Sequence, residues 1–85
     1  METSNLYFKY VVVKTKERAW AILSCAGVSH AAAVNPQEVT ANSAGFGQVS
    51  NGQLRLWGRS TTLGLASRPE DQVIVENTLL IMGLL

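Results

Sequence analysis

The sequence of 85 residues predicts one small α+β domain over residues 1–85, with two helices packed on a mainly antiparallel sheet. Three observations lead to this prediction. Two runs near the start are rich in aromatic and β-branched residues, which is typical of strands. An Asn-Gly pair lies between two further apolar runs, as in a β-hairpin. An apolar run with helix-start residues before it ends the sequence, so the predicted order is β-β-α-β-β-α.

The first two predicted strands are Asn5–Thr15 and Arg18–Cys25. The polar residues Lys16 and Glu17 separate them and indicate a hairpin, although this pair is poor chemistry for a two-residue turn. If the last residue of the first strand faces the first residue of the second, both faces of the hairpin are apolar. We therefore expect the hairpin to be covered on both sides.

The Asn51-Gly52 pair predicts the second hairpin, because both residues tolerate the positive φ angles of a type I′ turn. A two-residue loop fixes the register, so Phe46 should face Trp57. One face of the hairpin then has glycines at three positions, where a helix can approach closely. The opposite face carries the candidate binding residues Phe46, Trp57, Arg55 and Arg59.

Helix-start and helix-stop residues predict two helices. Ser29 can cap a short helix that continues to about Val34, since alanines favour it and Pro36 ends it. Ser67 is the predicted N-cap of the last helix. Glu70 completes a capping box with it, and a proline occupies the first turn between them.

The last helix has two apolar arcs, of which only one is needed for the domain core. The wide arc consists of Val73, Ile74, Leu80, Ile81, Leu84 and Leu85. The second arc consists of Val75, Leu79 and Met82, and it is the candidate dimer interface. Only 15% of the residues are charged, and one small core cannot bury all this apolar surface. The sequence therefore predicts a homodimer that uses the last helix or the first hairpin.

Three interpretations apply to the aromatic and arginine side chains of the second hairpin. They can form a protein interface, where Trp, Tyr and Arg dominate the binding energy. They can stack nucleic-acid bases and hold phosphates. They can also cap an exposed sheet face through cation–π pairs. The leading hypothesis is a non-enzymatic interaction module that homodimerises and can also bind an unknown protein partner. The alternative is a small nucleic-acid-binding protein.

An enzyme is the weakest hypothesis. Cys25 and His30 could form a nucleophile–base pair, but no specific third residue orients the histidine. One cysteine excludes an internal disulfide and a Cys-rich zinc site, and six scattered acids show no ligand spacing, so neither metal nor cofactor is expected. The terminal apolar run contains Glu76 and is shorter than the roughly 20 residues of a membrane span. The single cysteine, which leaves no internal disulfide, predicts a cytoplasmic protein.

Three short motifs carry a resemblance to a known group of proteins. They are the SAGF of Ser43–Phe46, the LGL of Leu63–Leu65 and the SRPED of Ser67–Asp71. The pattern, which covers roughly residues 29–71, resembles small uncharacterised bacterial proteins from short open reading frames of phage and integron gene cassettes. The resemblance implies an origin in a mobile genetic element and implies no activity.

Overall fold

The computed structural model describes residues 5–25, 29–30 and 40–85. Within these residues the chain forms an α+β domain with a four-stranded sheet, a two-stranded sheet and one helix. The elements are β1 (Asn5–Lys14), β2 (Ala19–Ser24), β3 (Thr40–Ser50), β4 (Gln53–Trp57), β5 (Arg59–Ser60), β6 (Leu65–Ala66) and α1 (Asp71–Ile81).

The larger sheet is antiparallel throughout, with the strand order β2-β1-β3-β4. The backbone N–H of Thr15 donates to the carbonyl of Arg18 (2.9 Å), so the first hairpin has the predicted register. Tyr10 and Val12 of β1 point to one face and pack against α1, whereas Val11 points to the other. All three side chains are buried. The prediction that this hairpin is covered on both sides is confirmed for β1, which lies inside the sheet.

The second hairpin also has the predicted register, because the turn chemistry is local. Asn51 and Gly52 have φ angles of 54° and 75°, and Phe46 lies opposite Trp57. The glycines of β3 face the helix side, as predicted. At Gly47, however, the ring of Phe8 fills the space that a side chain would occupy, so an aromatic ring rather than the helix covers this position.

The predicted order β-β-α-β-β-α is not the order of the described elements. Two short strands, β5 and β6, stand between β4 and the helix and pair as a separate hairpin. Leu63 and Leu65 of this segment pack on the sheet face opposite α1. The predicted helix over Ser29–Val34 lies outside the described residues, except for Ser29 and His30. In the described part of the chain there is one helix rather than two.

The predicted cap of the last helix is wrong. The helix begins at Asp71, and its N-cap residue is Glu70 rather than Ser67. The side chain of Glu70 makes no capping hydrogen bond. The Asp71 carboxylate instead accepts a hydrogen bond from the backbone N–H of Arg68 (2.9 Å). This bond joins the first residue of the helix to the turn that precedes it, so the carboxylate holds the entry to the helix in place.

The candidate dimer interface needs a correction as well. Val75 and Leu79 are completely buried within the chain, where they pack in the core beneath α1, and they are not available to a second copy. Met82, by contrast, is 54% exposed. The burial of Val75 and Leu79 follows from Asp71, which is buried one turn before Val75. These three residues lie on the side of the helix that faces the sheet. The hydrogen bonds of Asp71 to the sheet fix the rotation of the helix, which turns Val73, Leu80 and Ile81 outward. Ile74 and Leu85 of the same arc pack against the core.

The helix crosses the sheet from β4 to β2 and covers a backbone group on each edge strand. Gln72 donates its side-chain amide to the carbonyl of Leu54 on β4 (3.2 Å). The hydroxyl of Thr78 accepts a hydrogen bond from the backbone N–H of Ala21 on β2 (3.2 Å). Exposed edge groups are templates for pairing with another strand, and these contacts cover part of both edges. No helix among the described residues is long and apolar enough to cross a membrane.

Candidate functional site

The sheet face opposite α1 divides into two halves. The β5–β6 segment covers one half, which is apolar. The other half carries the exposed rings of Trp57 and Tyr7 and is not covered by the β5–β6 segment, and we call it the platform. Strand register places its side chains in two rows, because residues two apart on a strand share a face. One row is Trp57, Phe46 and Lys9, and the next is Arg55, Gln48 and Tyr7.

Aromatic rings dominate the platform. The rings of Phe46 and Trp57 are stacked, with centroids 6.4 Å apart and an interplanar angle of 28°. Trp57 is 45% exposed and Tyr7 is 62% exposed, which is high for such large apolar groups. The amide of Gln48 donates to the Tyr7 hydroxyl (3.1 Å) across the strand pair, so the tyrosine is tied to the centre of the sheet.

Sequence reasoning identified half of this surface and missed the other half. It placed Phe46 and Trp57 together on one face, which the register confirms. It missed Tyr7 and Lys9, because it did not predict that β1 pairs with β3. The signal in the sequence was the alternation along β1. It places Tyr7 and Lys9 on one face of the strand and Phe8, which is buried, on the other.

The charges around the platform are all positive in the part of the chain that the structure describes. Lys9 and Arg55 lie in the two rows, and Arg59 follows Trp57 on β5. The described acids lie elsewhere: Glu17 is in the β1–β2 turn, and the others immediately precede α1 or lie within it, on the opposite side of the sheet. The platform therefore has an excess of positive charge although the net charge of the sequence is only +1.

A cavity of about 260 Å³ opens where the platform meets the β5–β6 segment. Its lining combines cationic groups, hydroxyl groups and one aromatic wall, and it contains no described carboxylate. The lining residues are Lys9, Ser29, His30, Phe46, Arg59, Thr61 and Thr62. Cations and hydroxyl groups without an acid are the chemistry of an anion site.

His30 has a fixed position at this cavity. It is 4% exposed, and because a carbonyl only accepts, its Nε2–H donates to the carbonyl of Gly45 (2.8 Å). Its ring meets Phe46 edge to face, with centroids 5.4 Å apart. Cys25 is exposed and lines a different cavity, between β1, β2 and the end of α1. The structure therefore gives the predicted nucleophile–base pair no shared cavity.

A buried polar cluster joins α1 to the centre of the sheet. The Asp71 carboxylate, which is fully buried, accepts hydrogen bonds of 2.6 Å from the hydroxyls of Tyr10 and Ser43. Burial, and then the hydrogen bond to Asp71, raise the pKa of Tyr10 well above its usual range, although a hydrogen bond from Ser67 opposes them. The cluster lies inside the core and has a structural role. Among the described residues no three potential metal ligands come together.

The outer side of α1 exposes large apolar side chains beside the polar residues Gln72, Glu76 and Asn77. Large side chains on or just after its outer side are between 45% and 87% exposed, and they are Val73, Leu80, Ile81, Met82 and Leu84. Gly83, with a φ of 76°, ends the helix. The N–H of Leu84 reaches the carbonyl of Leu79 (2.9 Å), as in a Schellman motif. We call these five side chains the outer helix face.

Comparisons with family models, with curated proteins and with solved structures find no match to this chain. The resemblance to phage and integron cassette proteins therefore stays a prediction.

Proposed function

We propose that this protein is a non-enzymatic interaction module that forms a homodimer through the outer helix face. The observation that carries this proposal is the exposure of five large apolar side chains, three on the outer side of α1 and two just after its last residue. A contiguous apolar surface of this kind is typical of an interaction site rather than of a solvated face. The cytoplasmic location follows from the same sequence argument as before, since a single cysteine offers no internal disulfide.

The energetics favour burial of this face. Complete burial of a large apolar side chain contributes about 1.5–3 kcal/mol, and these side chains are roughly half to nine-tenths exposed. Each copy would then gain on the order of 5–8 kcal/mol. The summed free-energy gain of the two copies offsets most or all of the cost of association, which is roughly 4–15 kcal/mol.

A second copy of the chain fits this face better than an unrelated helix does. The exposed Asn77 lies on the same stripe, one turn after Val73 and one turn before Ile81. In an antiparallel pair with its two-fold axis at Asn77, Val73 of one copy lies against Ile81 of the other. The asparagine amide carries both a donor and an acceptor, so it can pair with its own copy on the axis. A polar residue within an apolar seam also fixes the register of the pair.

Light scattering at micromolar concentration tests this proposal. We expect a mass close to twice the 9.2 kDa of one chain, and a mass near that of one chain would refute the dimer. Ile81→Glu should give a folded monomer, because this side chain is 87% exposed. Gln53→Glu is the matched control, since it adds the same charge at the exposed first residue of β4 and should leave the dimer intact.

A second variant distinguishes the outer helix face from the arc that the sequence favoured. Leu79→Glu should unfold the chain, because it places a charge in the core where Leu79 is fully buried. A folded monomer from Leu79→Glu, together with a dimer from Ile81→Glu, would show that the outer helix face is not the interface. Circular dichroism of both variants separates unfolding from dissociation.

A further inference from the structure

We propose that the platform and its cavity bind single-stranded nucleic acid, with bases stacked on Tyr7 and Trp57 and a backbone phosphate held in the cavity between Lys9 and Arg59. This site lies on the sheet face opposite α1. The platform meets the outer helix face only at the cavity that Tyr7 lines together with Met82 and Leu84, whereas Trp57, Lys9 and Arg59 lie away from that cavity.

The exposed rings provide the first argument. Tyr7 and Trp57 remain open to solvent although their rings are large and apolar. Phe46 stacks on Trp57 from the neighbouring strand, and Gln48 ties the tyrosine hydroxyl to the sheet. Rings held this way lose little freedom when a base stacks on them, and aromatic stacking accepts any base because every base has a π-face. In a duplex the faces of the bases are already stacked on one another, so a flat platform selects single strands.

The charges provide the second argument. Lys9, Arg55 and Arg59 surround the rings, and no described acid shares this face. A protein partner of mixed charge would leave several of these cations without a counter-ion, whereas a nucleic-acid backbone supplies one phosphate per nucleotide. Alternating rings and cations match the alternation of bases and phosphates along a single strand.

The cavity provides the third argument, because it adds a defined anion site at the edge of the platform. Lys9 and Arg59 line it together with the hydroxyl-bearing residues Thr61 and Thr62. Phe46 forms its wall, and the same ring stacks on Trp57. Only the Phe46 ring therefore lies between a phosphate in the cavity and a base stacked on Trp57. His30 positions that wall, because its hydrogen bond to Gly45 and its edge contact hold the Phe46 ring.

Fluorescence anisotropy of labelled oligo(dT) and oligo(rU) with the whole chain tests this site. We expect saturable binding of both oligonucleotides at low salt, and much weaker binding of a duplex of equal length. With one phosphate in the cavity and a second at Arg55, the log–log slope of affinity against salt is about −1.4, so a fourfold rise in salt lowers the affinity about sevenfold. A difference between the two oligonucleotides would distinguish RNA from DNA as the preferred ligand, and both outcomes support the site.

Variants assign the binding to named residues. Trp57→Ala and Tyr7→Ala should each lower the affinity about tenfold through the loss of one stacked base. Arg55→Gln should reduce the magnitude of the salt slope by about 0.7 through the loss of one phosphate contact. Arg18→Gln is the matched control, because this arginine lies over the Trp20 ring (4.4 Å), outside the platform. It should change neither the affinity nor the slope beyond a general charge effect.

Three results would overturn the proposal. The first is no saturable binding at low salt by a chain that circular dichroism shows to be folded. The second is equal loss of affinity in Arg18→Gln and Arg55→Gln with no effect of Trp57→Ala or Tyr7→Ala, which would indicate non-specific attraction. The third is binding of poly-glutamate as tight as that of the oligonucleotides, with the same response to the variants, which would make the platform a site for acidic protein segments.

Discussion

The buried carboxylate of Asp71 is expected to couple the helix to the sheet, and a double-mutant cycle with Tyr10 measures that coupling. The carboxylate accepts hydrogen bonds from Tyr10 and Ser43 and from the backbone N–H of Arg68. Asp71→Ala leaves both hydroxyls without this acceptor, at about 1–3 kcal/mol for each unsatisfied buried group. Removal of a buried charge offsets part of this loss. We expect a net destabilisation of about 3 kcal/mol.

The second arm of the cycle removes the donor instead of the acceptor. Tyr10→Phe keeps the ring in the core and deletes the hydroxyl, while Asp71 retains its bonds to Ser43 and Arg68. This change should cost about 1–2 kcal/mol. In the double variant no tyrosine hydroxyl is left unsatisfied, so the combined loss should be smaller than the sum of the single losses by about 1–2 kcal/mol.

Urea denaturation with linear extrapolation gives the free energies of unfolding for the cycle. A domain of this length has a total stability of about 4–13 kcal/mol, so most of the variants should remain folded in water. Asp71→Asn is a milder replacement if the alanine variant unfolds. Tyr10→Phe combined with Ser60→Ala is the control cycle, because the buried Ser60 bonds within the β5–β6 segment and shares no partner with Tyr10. Additivity within about 0.5 kcal/mol in the Asp71 cycle would refute the reasoning.

Two further predictions concern the same core. Because the folded pKa of Tyr10 lies above its unfolded value, its contribution to stability is complete below about pH 10 and is lost as the pH rises further. Urea midpoints should therefore fall above about pH 10 more steeply in the wild-type protein than in Tyr10→Phe, and identical slopes there would contradict this. Gly47→Ala should cost about 1–3 kcal/mol through overpacking against the ring of Phe8. An unchanged denaturation midpoint in that variant would show that the ring can move aside.

The sequence by itself determined the features that depend on neighbouring residues. The Asn51-Gly52 turn fixed the register of the second hairpin, because positive φ angles at two consecutive residues allow one tight connection. The alternation of apolar side chains likewise placed Val11 and Val12 on opposite covered faces. Arg55 and the stacked aromatic pair followed from the same register, so half of the platform was visible in the sequence, whereas Arg59 lies on β5 and not on the extended hairpin that the sequence predicted.

Only the tertiary structure decided which arc of the helix is buried and which residues complete the platform. Asp71 looked like a polar residue at a helix start, yet it bonds to Tyr10, 61 residues away, and to Ser43, 28 residues away. Those bonds set the rotation of α1, and they turned Leu79 inward. Tyr7 reached the platform through the pairing of β1 with β3. Local propensities act over a few residues, whereas these contacts join distant segments whose pairing no short stretch of sequence specifies.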